Sequence, residues 1–187
     1  MTHNENIIQI ISNILAGDKD KFSAIVNLYK DSVFRIAIGY MHTKDEAEDI
    51  VQEVFIKSYQ SLSSFKGKSE FSTWLYRITV NTCLNAINKK QRLNIFQKSE
   101  ETAARIFNIR SEDKNPEESI VAGEKEKAVK EAINSLPKQQ RTAFTLKRYE
   151  ELSQSEISEI MEISEGAVEQ LLQRARINLT NKLKNIR

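Results

Sequence analysis

The chain has 187 residues, with 28 Lys and Arg against 26 Asp and Glu, a single Cys, 5 Gly and 2 Pro. So few turn residues exclude sandwiches, barrels and wound α/β sheets and point to an all-α protein of one ordinary or two small domains. One Cys excludes an intramolecular disulfide framework and fits a reducing cytoplasm, and a net charge of +2 gives by itself no reason to expect nucleic acid.

Apolar residues recur at helical spacing along most of the chain. Ile7, Ile8, Ile11 and Leu15 predict a short first helix closed by Gly17. Phe22, Ile25, Val26, Tyr29, Val33, Ala37 and Tyr40 form one face of a longer second helix. Thr43 and Glu46 make a capping box that opens a third, carrying Ala47, Ile50, Val51, Val54 and Ser58. A basic loop, 61–69, follows, and Ser69 is placed to cap a fourth helix from Glu70 to about Lys90. Residues 93–118 are polar, irregular in apolar spacing and broken by Asn115-Pro116, which predicts a flexible linker. A second helical unit begins near Ser119. Pro137 suits a first helical turn, Ser153 with Glu156 forms another capping box, and Ser164 caps a last helix striped by Val168, Leu172, Ala175, Leu179 and Leu183. The N-terminal residues form neither a signal peptide nor a membrane span, so no direct membrane insertion is expected.

Residues 154–173 have the pattern of a helix-turn-helix. Ile157, Ile160 and Met161 supply the first helix, Ile163 the plug in the turn, and Val168 and Leu172 the second. Glu169, Gln170 and Gln173 lie on the opposite face, with Ser164 and Glu165 at its N-terminal end. Glutamine can pair with adenine and glutamate with cytosine. From Leu171 to Arg187 there are five basic residues, including Arg174 and Arg176, and no acid, which suits a phosphate backbone. A plain helical hairpin with a solvated cationic end has the same spacing. The turn position often filled by glycine is Glu162, at a cost of about 1 kcal/mol if left-handed.

On the fourth helix Phe71, Leu75, Ile78 and Thr82 form one packed side, and Tyr76, Val80, Cys83, Leu84 and Ile87 the other. Between them run Trp74, Arg77, Asn81, Asn85 and Asn88, a stripe suited to unpaired bases through stacking, amide pairing and phosphate contact. From Ser64 to Arg92 six basic residues, Lys66 and Lys68 among them, face a single acid, Glu70. The alternative is a core Trp74 beside a solvated amide edge. Cys83 reads as core rather than as a reactive thiol.

The third helix concentrates acids: five against one Lys from Lys44 to Glu53. Asp45, Asp49, Gln52, Ile56 and Tyr59 share a face with Glu53 at its edge, which fits a basic, partly apolar protein partner. Favourable helix-dipole placement explains Asp45 and Glu46 but not Glu53 or Ile56. A metal site built on His42, Asp45, Glu46 and Asp49 lacks a second carboxylate–His set.

Taken in this order, the three surfaces resemble those of bacterial RNA polymerase sigma factors of the small extracytoplasmic-function (ECF) type. DEAEDIVQEVFIKSY is similar to the family's polymerase-docking segment and FKGKSEFSTWLYRITVNTCLNAI to its promoter-melting segment. The segment beginning LPKQQRTAF is similar to its C-terminal region. The resemblance implies a region-two helical bundle at 1–92, a linker at 93–118 and a region-four helix-turn-helix unit at 119–187. It implies that Asp45, Asp49, Gln52, Glu53, Ile56 and Tyr59 dock on core RNA polymerase, at the β′ coiled coil, with the β flap as a further contact. Phe65, Lys66, Lys68, Trp74, Arg77 and Asn81 would meet the minus-ten promoter element, the 65–69 loop capturing a flipped base. Ser164, Glu165, Glu169, Gln170, Gln173, Arg174 and Arg176 would read the minus-thirty-five element. Family members usually carry basic residues where this chain has Glu169 and Leu171. An anti-sigma factor is a further implied partner. No nucleophile–base pair or phosphate loop stands out, so neither enzymatic activity nor a cofactor is expected. A stand-alone DNA-binding regulator competes with this reading but leaves the acidic face unexplained. A metal-dependent nucleic-acid-processing enzyme built around Asp49 is the other competitor.

Overall fold

The computed structural model describes the backbone of residues 3–105 and 120–184, and the side chains of 5–93 and 124–184. Among these residues every regular element is helical. The helices are α1 (His3–Leu15), α2 (Phe22–Met41), α3 (Lys44–Gln60), α4 (Phe71–Arg105), α5 (Ile120–Asn134), α6 (Lys138–Tyr149), α7 (Gln154–Met161) and α8 (Glu165–Leu183).

Helical periodicity places the core. Ile7, Ile11 and Ile14 of α1 are buried, whereas Ile8 and Leu15 are exposed. Ile25, Val33, Ile36 and Ala37 of α2 pack with Ala47, Ile50 and Val54 of α3 and with Phe71, Leu75 and Cys83 of α4 in a single core. Gly17, at φ +116°, ends the turn after α1, as glycine readily does. Thr43 is the N-cap of α3, but its hydroxyl donates to the Glu46 carboxylate (3.1 Å) instead of accepting a backbone N–H. The predicted reciprocal box is therefore absent there.

The fourth helix departs further from expectation. It starts at Phe71, the Ser69 hydroxyl donates to the Glu70 carbonyl rather than capping, and the helix continues to Arg105, into the segment expected as linker. The remainder of that segment, Asn115-Pro116 included, lies outside the described residues. Thr73 and Thr79 are buried on α4 without any apolar signal in their side chains. Thr79 satisfies its hydroxyl on the Leu75 carbonyl at 2.9 Å.

In the C-terminal unit Pro137 is the N-cap residue of α6, one place before the first helical turn. Ser153 and Glu156 form the complete capping box on α7. Replacing Ser153 with alanine should cost about 1 kcal/mol of unfolding free energy, read from denaturant titration. An unchanged midpoint would mean that α7 is held by tertiary packing alone.

The two units pack on each other. Ala143 and Leu146 of α6, Ile157 and Ile160 of α7 and Val168 of α8 belong to the same buried cluster as α1–α4. Gly39 of α2 lies against α6. A Cβ there would lie 2.7 Å from both Thr145 Cγ2 and a Tyr149 ring carbon. Beside it Tyr40 donates its hydroxyl to Thr142 (2.9 Å), and buried Arg141 donates to the Tyr40 carbonyl (2.7 Å) and stacks over its ring. Burial lowers the Arg141 pKa and raises that of Tyr40.

Candidate nucleic-acid and protein interfaces

Three faces emerge from this scaffold. On α3, burial of Ala47, Ile50, Val54 and Phe55 turns Asp45, Asp49, Gln52, Glu53, Ile56 and Tyr59 to solvent. Ile56 is 58% exposed and Tyr59 38%, although Tyr59 also meets the Phe22 ring edge-on at 5.0 Å. An apolar groove of about 660 Å³, lined by Phe22, Val26, Phe55, Ile56 and Tyr59, continues from this face. Three acids of α3 already hold cations, Glu48 pairing with Lys44 at 3.5 Å. Glu53 pairs with Lys57 at 2.6 Å, and Glu46 accepts from Lys90 at 2.6 Å, which lowers the Glu46 pKa. His42, left-handed at φ +64°, bonds Asn134 Oδ1 through Nε2 (3.0 Å), and burial lowers its pKa. No cluster of three or more His, Cys, Asp or Glu positioned for a metal occurs among the described residues.

The second face lies on α4 and the loop before it. Phe65, Phe71 and Trp74 form an aromatic cluster with ring centroids 5.3–5.6 Å apart. Phe71 is buried while Trp74 and Phe65 are half-buried. The two sequence-based alternatives for Trp74 thus meet: the ring leans on the core and still shows an open side. Lys66, Lys68 and Asn81 are exposed. Cys83 is buried, and burial pushes its thiol up to about 12.

Arg77 is not free. Its Nη1 sits 2.8 Å from Glu162, its Nη2 donates to the Glu159 carbonyl, and its Nε is buried without a partner. Thr73 beside it donates to the Glu159 carboxylate at 3.4 Å. Next to Arg77 on α4, the Tyr76 hydroxyl donates to Glu150 (3.2 Å), which also receives a two-pronged contact from Arg35 (2.7 and 3.0 Å). That hydrogen bond raises the Arg35 pKa, while Tyr76 is raised mainly by burial. None of these partners was foreseen. The one local hint was Glu162 at a turn position suited to glycine, and it is left-handed at φ +57° and ψ +43°.

The third face is the start of α8. Ser164 caps the helix by accepting from Ala167 N–H at 3.2 Å. Glu165, Glu169, Gln170, Gln173, Arg174 and Arg176 are all exposed, so one polar face stands open. Leu171 is half-buried against the core, which explains an apolar residue at that position.

The description "Sigma-70 region 2" matches residues 25–93, and "Sigma-70, region 4" matches 126–179. The chain is 35% identical over 178 residues to the ECF RNA polymerase sigma-E factor of Haemophilus influenzae, covering 93% of each. It is 35% identical over 179 residues to the ECF sigma factor SigW of Bacillus subtilis, covering 94% of this chain and 96% of that one. The chain belongs to the ECF sigma factors. It is a factor for promoter-specific transcription initiation, and likeness to sigma factors along nearly its whole length displaces a stand-alone regulator. Solved folds agree. CnrH, in complex with the cytosolic domain of CnrY, aligns at a TM-score of 0.64 with 19% identity, covering 94% of this sigma factor and 95% of CnrH. RpoE of Bartonella quintana, in complex with the anti-sigma factor NepR, aligns at 0.58 with 25% identity, covering 89% and 98%. No helix among the described residues is long and apolar enough to cross a membrane.

Proposed function

We propose that the three faces divide the work of initiation. The α3 face of Asp45, Asp49, Gln52, Glu53, Ile56 and Tyr59 docks on the coiled coil of the polymerase β′ subunit. Phe65, Lys66, Lys68, Trp74, Arg77 and Asn81 hold the unpaired strand of the minus-ten element. Ser164, Glu165, Glu169, Gln170, Gln173, Arg174 and Arg176 lie along the duplex minus-thirty-five element, with the β flap steadying that unit. The working division is 1–92, 93–118 and 119–187. The observation that carries the docking assignment is Ile56, 58% exposed, in line with a row of carboxylates: an apolar anchor inside an acidic rim.

The protein performs no covalent chemistry in this account and acts in the cytoplasm, where polymerase is. Strand opening draws on captured bases, each stacked base contributing about 1–3 kcal/mol. An anti-sigma factor, as in the complex of RpoE with NepR, is the proposed regulator.

Transcription in vitro with core polymerase and a promoter library tests the whole assignment. Start sites should appear on a subset of templates only when this protein is added, and their absence from every template would reject it. Asp49→Ala combined with Glu53→Ala should raise the Kd for core polymerase by about tenfold while helicity is kept. Equal affinity would remove α3 as the docking face.

A further inference from the structure

Val168 and Ala175, two turns apart, are the buried residues of α8 and fix which way the helix faces. Opposite them lies an outward line of Gly166, Gln170 and Gln173, all exposed. Glu169 flanks this line on one side and Arg174 on the other. The glycine has no purpose inside the chain. A Cβ at Gly166 would meet nothing within 4 Å, and its φ is not positive, so neither packing nor backbone conformation calls for it. Glycine weakens a helix relative to alanine, and an uncalled-for glycine on an open face suits the close approach of an outside body. In a helix laid in a major groove, that body is the duplex, nearest at the second residue of α8.

Glu169 stands three residues beyond that point, and its charge lacks any local account. Glu165, in the first turn, is favoured by the helix dipole, whereas Glu169 lies past it. The neighbours three and four residues away along the helix are Gly166, Leu172, Glu165 and Gln173, none of them a cation and one of them an acid. Glu169 has no ion pair or hydrogen-bonded side-chain partner among the described residues. An unneutralised carboxylate is repelled by phosphates, and Arg174 and Arg176, further along the helix, supply the attraction to them. The group on a duplex that a carboxylate does fit is a base amino donor in the major groove, and cytosine presents one with no competing acceptor.

We propose that Glu169 is a specificity-determining residue, its carboxylate accepting from the N4 amino group of one cytosine in the minus-thirty-five element. The inference rests on the assignment of α8 to that element made above. It divides α8 in two: an acidic N-terminal half that reads bases and a basic C-terminal half that holds the backbone.

The test uses the full chain with core polymerase. A template active in the promoter library is randomised in its minus-thirty-five block alone, and the transcribed sequences are counted. The unaltered protein should enrich cytosine at one position of a fixed strand by about tenfold. Glu169→Gln should move that preference to adenine and Glu169→Arg to guanine, with the other positions unchanged. No cytosine preference in the unaltered protein, or a profile that both variants leave as it was, overturns the proposal. Higher transcription from all sequences alike, with the profile unchanged, overturns it too and reduces the carboxylate to a repeller of phosphates. Gln170→Ala and Gln173→Ala separate the two levels of failure. A profile that answers to them but not to Glu169 keeps α8 as the reader, and a profile unmoved by all four variants removes α8 from the element as well. Every substituted side chain is exposed, and circular dichroism checks that each variant keeps its helices.

Discussion

Truncating Trp74 to alanine should slow open-promoter formation by about ten- to a hundredfold while core-polymerase affinity is unaltered. The magnitude follows from the ring's position. Trp74 leans on Phe71 at 5.3 Å and Phe65 at 5.6 Å, which fixes its plane, yet it remains half-buried, with one side available to a base. A platform already held in place loses little freedom when a base stacks on it. Its loss forfeits the stacking energy at the step where strands separate. Permanganate reactivity of thymines in the melted region measures the rate. Because truncation also loosens Phe65, Trp74→Phe serves as the control: it keeps an aromatic face and should retain most of the activity. Unchanged melting with alanine at position 74 would assign the ring to packing alone.

Gly39→Val should force the two units apart. The three nearest atoms to a Cβ at this position, at 2.7, 2.7 and 2.9 Å, all belong to α6, and valine adds two methyl groups. Glycine inside a helix costs about 1 kcal/mol relative to alanine, so Gly39→Ala ought to favour α2 itself. The two effects have opposite signs. A helix gain without strain would raise the melting temperature and leave the separation of the units unchanged. Steric wedging would lower the melting temperature and lengthen the distances between nitroxides on Asn27→Cys of α2 and Thr180→Cys of α8, both exposed positions. For valine, whose branched side chain brings no comparable helix gain, wedging should dominate. If distances stay short with valine, Tyr149 and Thr145 have moved aside and the contact is looser than its geometry indicates.

Much of this molecule could be read before any coordinates. The buried faces of α2, α3 and α4 follow helical periodicity because each unit buries one side of its helices. The polar face of α8 follows from the same rule. Ser153 with Glu156 announces α7 because a capping box is a local interaction within four residues. Thr43 with Glu46 carries the same signature and fails: the Thr43 hydroxyl donates to the Glu46 carboxylate, which also accepts from Lys90 across the bundle, and no backbone N–H is capped. The start of α4 lies one residue from where it was expected, and its length was missed because no breaker follows Lys90. The contacts of Arg35 with Glu150 and of Arg77 with Glu162 were invisible for a different reason. Arg35 and Glu150 are 115 residues apart, and nothing in either local sequence points to the other. Only Glu162, out of place by local rules, marked a position where tertiary contact overrides propensity.

Trp74 is the only tryptophan in the chain. The ultraviolet emission of the free protein therefore arises chiefly from one indole, packed against Phe65 and Phe71 and one helical turn from Arg77. Displacement of α7 or the arrival of a base changes the polarity and quenching around that single ring. The protein thus carries its own optical gauge of this surface, readable in the unmodified chain.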